Sequence, residues 1–67
     1  MRISARNVLK GKIVDVKKGA TTAHVRIDLG GSVVASITNE AVDELGLKEG
    51  MTASAVIKAS DVMVAVD

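Results

Sequence analysis

The chain contains no cysteine, no proline and no Phe, Tyr or Trp. Without thiols there are no disulfides and no thiolate metal ligands, and a single histidine does not make a structural zinc site. Without aromatics, the side chains that bury the most area per residue are missing. A domain of 67 residues is already marginal, because so short a chain buries only roughly 60% of its unfolded surface. Small domains compensate with disulfides, metals or association. The first two are excluded here, so an oligomer is expected. No run approaches the ~20 apolar residues of a membrane span. Met1-Arg2-Ile3-Ser4 lacks the apolar core of a signal peptide, which points to the cytoplasm. Single-strand nucleic-acid binders stack bases on aromatics over a basic groove. With no aromatic residue and a net charge of +1, neither the stacking nor the phosphate attraction is supplied.

What the chain does contain is small and branched: 11 Val, 9 Ala, 5 Ile, 4 Leu and 3 Met, or 48% of residues. With 25% charged residues, this is the composition of a folded chain rather than a disordered one. Charge is unevenly spread. Residues 1–18 hold six Lys/Arg against one Asp, and residues 19–67 hold three against seven Asp/Glu.

One domain, residues 1–67, is expected, with glycine as its punctuation. Ala23, Val25, Ile27 and Leu29 alternate with His24, Arg26 and Asp28, the pattern of a half-buried strand. Gly30-Gly31 follows as a two-residue hairpin signal, and Ser32 to Thr38 reads as the partner strand. Upstream, Val8 to Lys17 is a further strand, with Gly11 as a bulge or bend and Lys18-Gly19 as its turn. Thr52 to Lys58 and Val62 to Val66 complete five strands. Between the third and fourth, Ala41, Val42 and Leu45 fall at helical spacing. Thr38 or Asn39 would cap the start of a short helix and Gly46 its end. The expected fold is all-β, a small five-stranded OB-like Greek-key barrel with one short helix between strands 3 and 4. A small open sandwich fits the same periodicity.

Catalysis finds little support. His24 lies on the polar phase of a strand without a nucleophile or an orienting partner in reach. Glu40, Asp43, Glu44 and Glu49 read as a solvated helix face, and no calcium-loop spacing occurs. Anion binding is better served. Ser4-Ala5-Arg6-Asn7 and Lys58-Ala59-Ser60 each combine a hydroxyl donor with a cation. Ala5 and Ala59 are small enough for backbone N–H groups to approach an anion, and Thr38 adds a hydroxyl at a helix start.

Read together, these segments carry a resemblance. Ser4-Ala5-Arg6-Asn7-Val8-Leu9-Lys10-Gly11-Lys12-Ile13 resembles the opening of the molbindin family, the small molybdate-binding Mop-type proteins. Thr22-Ala23-His24-Val25, Ser36-Ile37-Thr38, Leu45-Gly46-Leu47-Lys48-Glu49-Gly50 and Val56-Ile57-Lys58-Ala59-Ser60-Asp61-Val62-Met63 are similar to its later landmarks in the same order. The resemblance covers essentially the whole chain.

It implies an OB-like fold, a cytoplasmic location and storage or buffering of molybdate or tungstate without enzymatic activity or an organic cofactor. It also implies a homo-hexamer, a trimer of dimers, with anion sites between subunits and neither nucleic acid nor membrane as partner. Carried over by position, Ser4, Ala5, Arg6, Lys58, Ala59 and Ser60 would contact the oxyanion. Thr38 would join them from a neighbouring subunit, and Asn7 would either touch the anion or fix the turn. No side chain would ligate the metal directly. The competing reading is a non-catalytic OB-like module whose assembly, structural or regulatory, is itself the function.

Overall fold

The computed structural model describes residues 7–67. Four strands, β1 (Asn7–Lys18), β2 (Thr22–Asp28), β3 (Ser32–Thr38) and β4 (Thr52–Ile57), form one antiparallel sheet in the order β3-β2-β1-β4. A fourth strand returning beside the first is the Greek-key arrangement. The sheet curls into a half-barrel, with the helix α1 (Asn39–Leu45) between β3 and β4. A turn of 3₁₀ helix, Ala59–Asp61, follows β4.

The long β1 organises the molecule by serving two neighbours. Its first half, Asn7 to Lys12, pairs with β4, and Lys12 to Lys18 pairs with β2. The handover occurs at Lys12, which faces both Thr52 and Asp28. Gly11 is needed beside it: a Cβ there would stand 2.4 Å from the Asp28 carbonyl oxygen and 2.8 Å from Ile27 Cγ2. The bulge expected at Gly11 instead lies at Val14, where the register slips between Ile13 and Asp15. Gly11 therefore permits close approach of two strands, and the extra residue three positions on restores the inward phase of Val16.

The β2–β3 hairpin pairs Asp28 with Ser32, so its loop is Leu29-Gly30-Gly31 rather than the expected two glycines. Only Gly30 takes a positive φ, 102°, and its amide donates to Asp28 Oδ1 at 3.1 Å. The Asp28 side chain stabilises the longer loop. The helix matches its sequence signals. Thr38 Oγ1 accepts from the Ala41 amide at 3.1 Å. Gly46 closes the helix at φ 64°, its N–H directed to the last-turn carbonyls.

The expected fifth strand is absent from the described residues: 62–67 have no ladder partner and are exposed. Their alternation supplies a strand propensity, but a strand exists only when another edge accepts its hydrogen bonds. The core is correspondingly small, consisting of Ile13, Ala23, Val25, Ile27, Val42 and Ala55. No polar or charged residue is buried with them among the described residues.

Candidate functional site

Two of the segments singled out in the sequence meet at one end of the β1–β4 pair. Asn7 opens β1 opposite Ile57, the last residue of β4. Its Nδ2 donates to the Ile57 carbonyl at 3.2 Å across a sequence separation of 50 residues. The asparagine thus fixes the rung between the start of β1 and the end of β4, one residue before Lys58. Ser4, Ala5 and Arg6 lie outside the described residues.

Lys58 follows Ile57 directly, in extended conformation (φ −63°, ψ 136°), and starts the 3₁₀ turn. The Asp61 amide bonds the Lys58 carbonyl at 2.9 Å and the Val62 amide reaches the Ala59 carbonyl at 3.3 Å. In such a turn the first amides, those of Ala59 and Ser60, have no intrahelical acceptor. Lys58, Ala59 and Ser60 are all exposed. The segment therefore presents a lysine ammonium, a serine hydroxyl and two backbone donors together on the surface. No carboxylate bonds Lys58 among the described residues.

Thr38 lies elsewhere. It pairs with Thr22, one rung beyond the Lys18–Ala23 end of β1. No rung and no hydrogen bond joins it to Lys58-Ala59-Ser60 among the described residues. Its oxygen accepts the Ala41 amide, which leaves the hydroxyl proton free to donate. Capping and anion contact are compatible at this residue.

Asn39 has a role that the sequence left open. Thr38 takes the cap, while Asn39 donates through Nδ2 to the Gly19 carbonyl at 3.0 Å and through its amide to Thr21 at 3.1 Å. It ties the helix start to the β1–β2 turn, and its Oδ1 is buried without a partner. No group of three or more His, Asp or Glu able to hold a metal ion occurs among the described residues. No helix there is long and apolar enough to cross a membrane.

Comparison with known proteins agrees with this frame. The TOBE domain model matches residues 3–64. Molybdenum-pterin-binding protein 1 of Clostridium pasteurianum is 53% identical over 66 residues, covering 96% of this chain and 97% of its own length. A molybdate-binding protein from Sporomusa ovata superposes with a TM-score of 0.92 at 34% identity, over 98% of this chain and 100% of that one. The cytoplasmic molybdate-binding protein ModG, solved with molybdate bound, gives a TM-score of 0.89 at 51% identity, over 94% of this chain and 46% of its own. An OB-like half-barrel that sets Asn7 against Ile57, the residue before Lys58-Ala59-Ser60, and that is matched along nearly its whole length, belongs to the TOBE domain family and, within it, to the Mop-type proteins.

Proposed function

We propose that the chain binds molybdate, or its near-isostere tungstate, as the intact oxyanion, and that it stores or buffers the anion in the cytoplasm. The observation that carries this reading is the Asn7–Ile57 rung with its side-chain hydrogen bond. It sets Asn7, the residue after Ser4-Ala5-Arg6 in the sequence, opposite Ile57, the residue before Lys58-Ala59-Ser60. A tetrahedral dianion is held by convergent donors, and charge-assisted bonds from Arg6 and Lys58 are worth about twice neutral ones. Hydroxyls and backbone amides supply the remainder without fixing the anion permanently, as storage demands. Thr38 sits at the other end of β1, so in this reading it reaches the anion from a second subunit of a homo-oligomer. The relatives' names include a pterin. A pterin ring gains nothing from stacking here, because the chain has no aromatic side chain, and the oxyanion is the better match.

Molybdenum analysis of protein purified after growth with molybdate gives the first test, with metal retained through desalting as the expected result. Titration calorimetry then locates the site. Lys58→Ala removes a charged hydrogen bond worth roughly 1.5–3 kcal/mol, a loss of about 10- to 150-fold in affinity. Lys12→Ala and Lys17→Ala change little, since exposed charges are screened beyond about 8 Å at physiological salt. Sulfate, being smaller, binds weakly because it cannot reach all donors together. Equal losses for all three lysines in intact oligomers would mean a diffuse basic field. A protein that assembles but takes up no molybdenum is the outcome that favours the purely structural module.

A further inference from the structure

The start of α1 offers two caps where the helix uses one. Thr38 and Asn39 are adjacent, and asparagine is at least as good an N-cap as threonine. Yet Thr38 Oγ1 takes the Ala41 amide at 3.1 Å, while the Asn39 side chain is engaged elsewhere. Its Nδ2 donates to the Gly19 carbonyl at 3.0 Å, and its Oδ1 is buried with no donor against it. The side-chain amide cannot be reversed, because its oxygen would then face a carbonyl oxygen. An unpaired buried acceptor is costly, and such groups are rare in folded chains. A residue chosen for stability alone at this position would cap the helix or carry no polar atom.

The carbonyl that holds Asn39 belongs to a firm partner. The Gly19 amide closes the β1–β2 turn onto the Thr22 carbonyl at 2.7 Å, and the Asn39 amide adds a bond to the Thr21 carbonyl at 3.1 Å. A Cβ at Gly19 would stand 3.1 Å from the Thr22 oxygen, so the turn is tight. Just beyond it, Ala23 is fully buried. The helix itself has 7 residues, with Val42 as its one buried member, and helices of that length do not hold their own start. Where α1 begins is therefore decided at the turn. Moving the start by one residue would hand the cap to position 39 and leave Thr38 Oγ1 without its bond to Ala41.

We infer that Asn39 is a positioning residue of the anion site: held by the β1–β2 turn, it leaves the cap to Thr38 and so fixes where the Thr38 hydroxyl stands and donates. The inference rests on the proposed contact between Thr38 and the oxyanion. With Oγ1 accepting from Ala41, the hydroxyl proton points away from that amide and is free for an anion. A donor already oriented loses little freedom on binding. The unpaired Oδ1 is what the chain gives up for that arrangement.

Two substitutions separate positioning from mere support of the helix. Asn39→Ser supplies a neutral cap too short to reach Gly19, and Asn39→Ala supplies no cap. If Asn39 only supports the helix, serine is the milder change. If it positions Thr38, serine is the more harmful one, because it competes for the helix start. Molybdate affinity is measured by calorimetry, with assembly checked by light scattering. Asn39→Ser is expected to lose about as much as Thr38→Val, which removes a neutral hydrogen bond, roughly 2- to 12-fold. Asn39→Ala loses less, and in the Thr38→Val background Asn39→Ser costs nothing further. Without any anion, NMR of Asn39→Ser should show the Thr38 χ1 averaging between rotamers and the Ala41 amide exchanging faster, with neither change in Asn39→Ala. Asn39→Asp, a cap that cannot donate to Gly19 and whose charge would itself repel an anion, is read by NMR alone and gives the same result should the serine variant not fold. A greater loss for Asn39→Ala than for Asn39→Ser, or a Thr38 rotamer that neither cap at position 39 disturbs, would overturn the inference. Wild-type affinity in Thr38→Val, with Lys58→Ala weakened, would overturn it and leave the anion reading standing. The expected NMR changes in a chain that takes up no molybdate would refute the anion reading and leave only the hold of Asn39 on Thr38.

Discussion

Ala23, Val25 and Ile27 on β2 alternate with polar residues in the same way as Val33, Ala35 and Ile37 on β3, and the two strands pair rung for rung. Their surroundings differ. The β2 residues are 0–4% exposed, while the β3 residues are only half-buried. β2 lies between two strands, and β3 is an edge facing an open groove. An alternating pattern specifies which face a residue takes, and the number of neighbouring elements decides how much water that face loses. The half-barrel thus has a finished side, built by β1, β2 and α1 within the chain, and an unfinished side at β3 and β4.

The finished side rests on the close approach of β1 and β2, so its most disruptive substitution is at Gly11. In an ordinary strand position Gly→Ala gains about 0.5–1 kcal/mol. Here the added Cβ would collide with the backbone of Asp28, which no side-chain rotation relieves. Gly11→Ala is therefore expected to destabilise by about 3 kcal/mol or more, read from the urea midpoint at constant m-value. A neutral or stabilising result would mean that β1 and β2 can separate without loss, and the finished side would lose its special status.

The next effect compares one residue from each side. Ile27→Ala empties a filled core position, at a cost of roughly 2–5 kcal/mol. Ile37→Ala truncates a groove wall. Because that wall is only half-buried in the chain, Ile37→Ala should cost less than half as much as Ile27→Ala. Urea unfolding of the two variants provides the comparison. Equal costs, with the cost at Ile37 rising with protein concentration, would mean that association covers the β3 wall.

The same division explains what could be read from the residues alone. The β2–β3 hairpin, the helix and both its caps were legible because their signals are local: alternation, Thr38 three residues before Ala41, Gly46 at the exit. The bulge was misplaced because a glycine in a strand marks either an irregularity or a close approach, and only the position of Asp28 distinguishes them. The closed five-stranded barrel was overdrawn for a related reason. Val62 to Val66 has the periodicity of a strand, but no strand edge among the described residues pairs with it. At the candidate site, the residue types of Lys58-Ala59-Ser60 were visible in the sequence. The role of Asn7 as the clamp on Ile57 required the register. That Thr38 stands apart from Lys58 required the topology.

The smallest expected effect concerns an interaction that resembles a fastener on the finished side. Lys18 Nζ lies 2.5 Å from Asp43 Oδ1, linking the end of β1 to α1 across the groove lined by Val16, Val42 and Leu47. The short distance suggests strength, but the side chains are 46% and 68% exposed. Water competes for both charges, salt screens them, and holding two flexible side chains in one geometry costs entropy. Exposed pairs of this kind contribute at most about 1 kcal/mol. The helix is held more firmly by Val42, 4% exposed in the core, and by Asn39 bonding Gly19 and Thr21. Lys18→Ala should therefore lower stability by less than about 1 kcal/mol, and the difference should shrink further in 1 M salt, where the Debye length is about 3 Å. A double-mutant cycle with Asp43→Ala measures the coupling directly. A salt-insensitive coupling of about 2 kcal/mol or more would exceed the range for exposed pairs. It would mean that α1 is held by charge, and that the finished side depends on its surface as much as on its core.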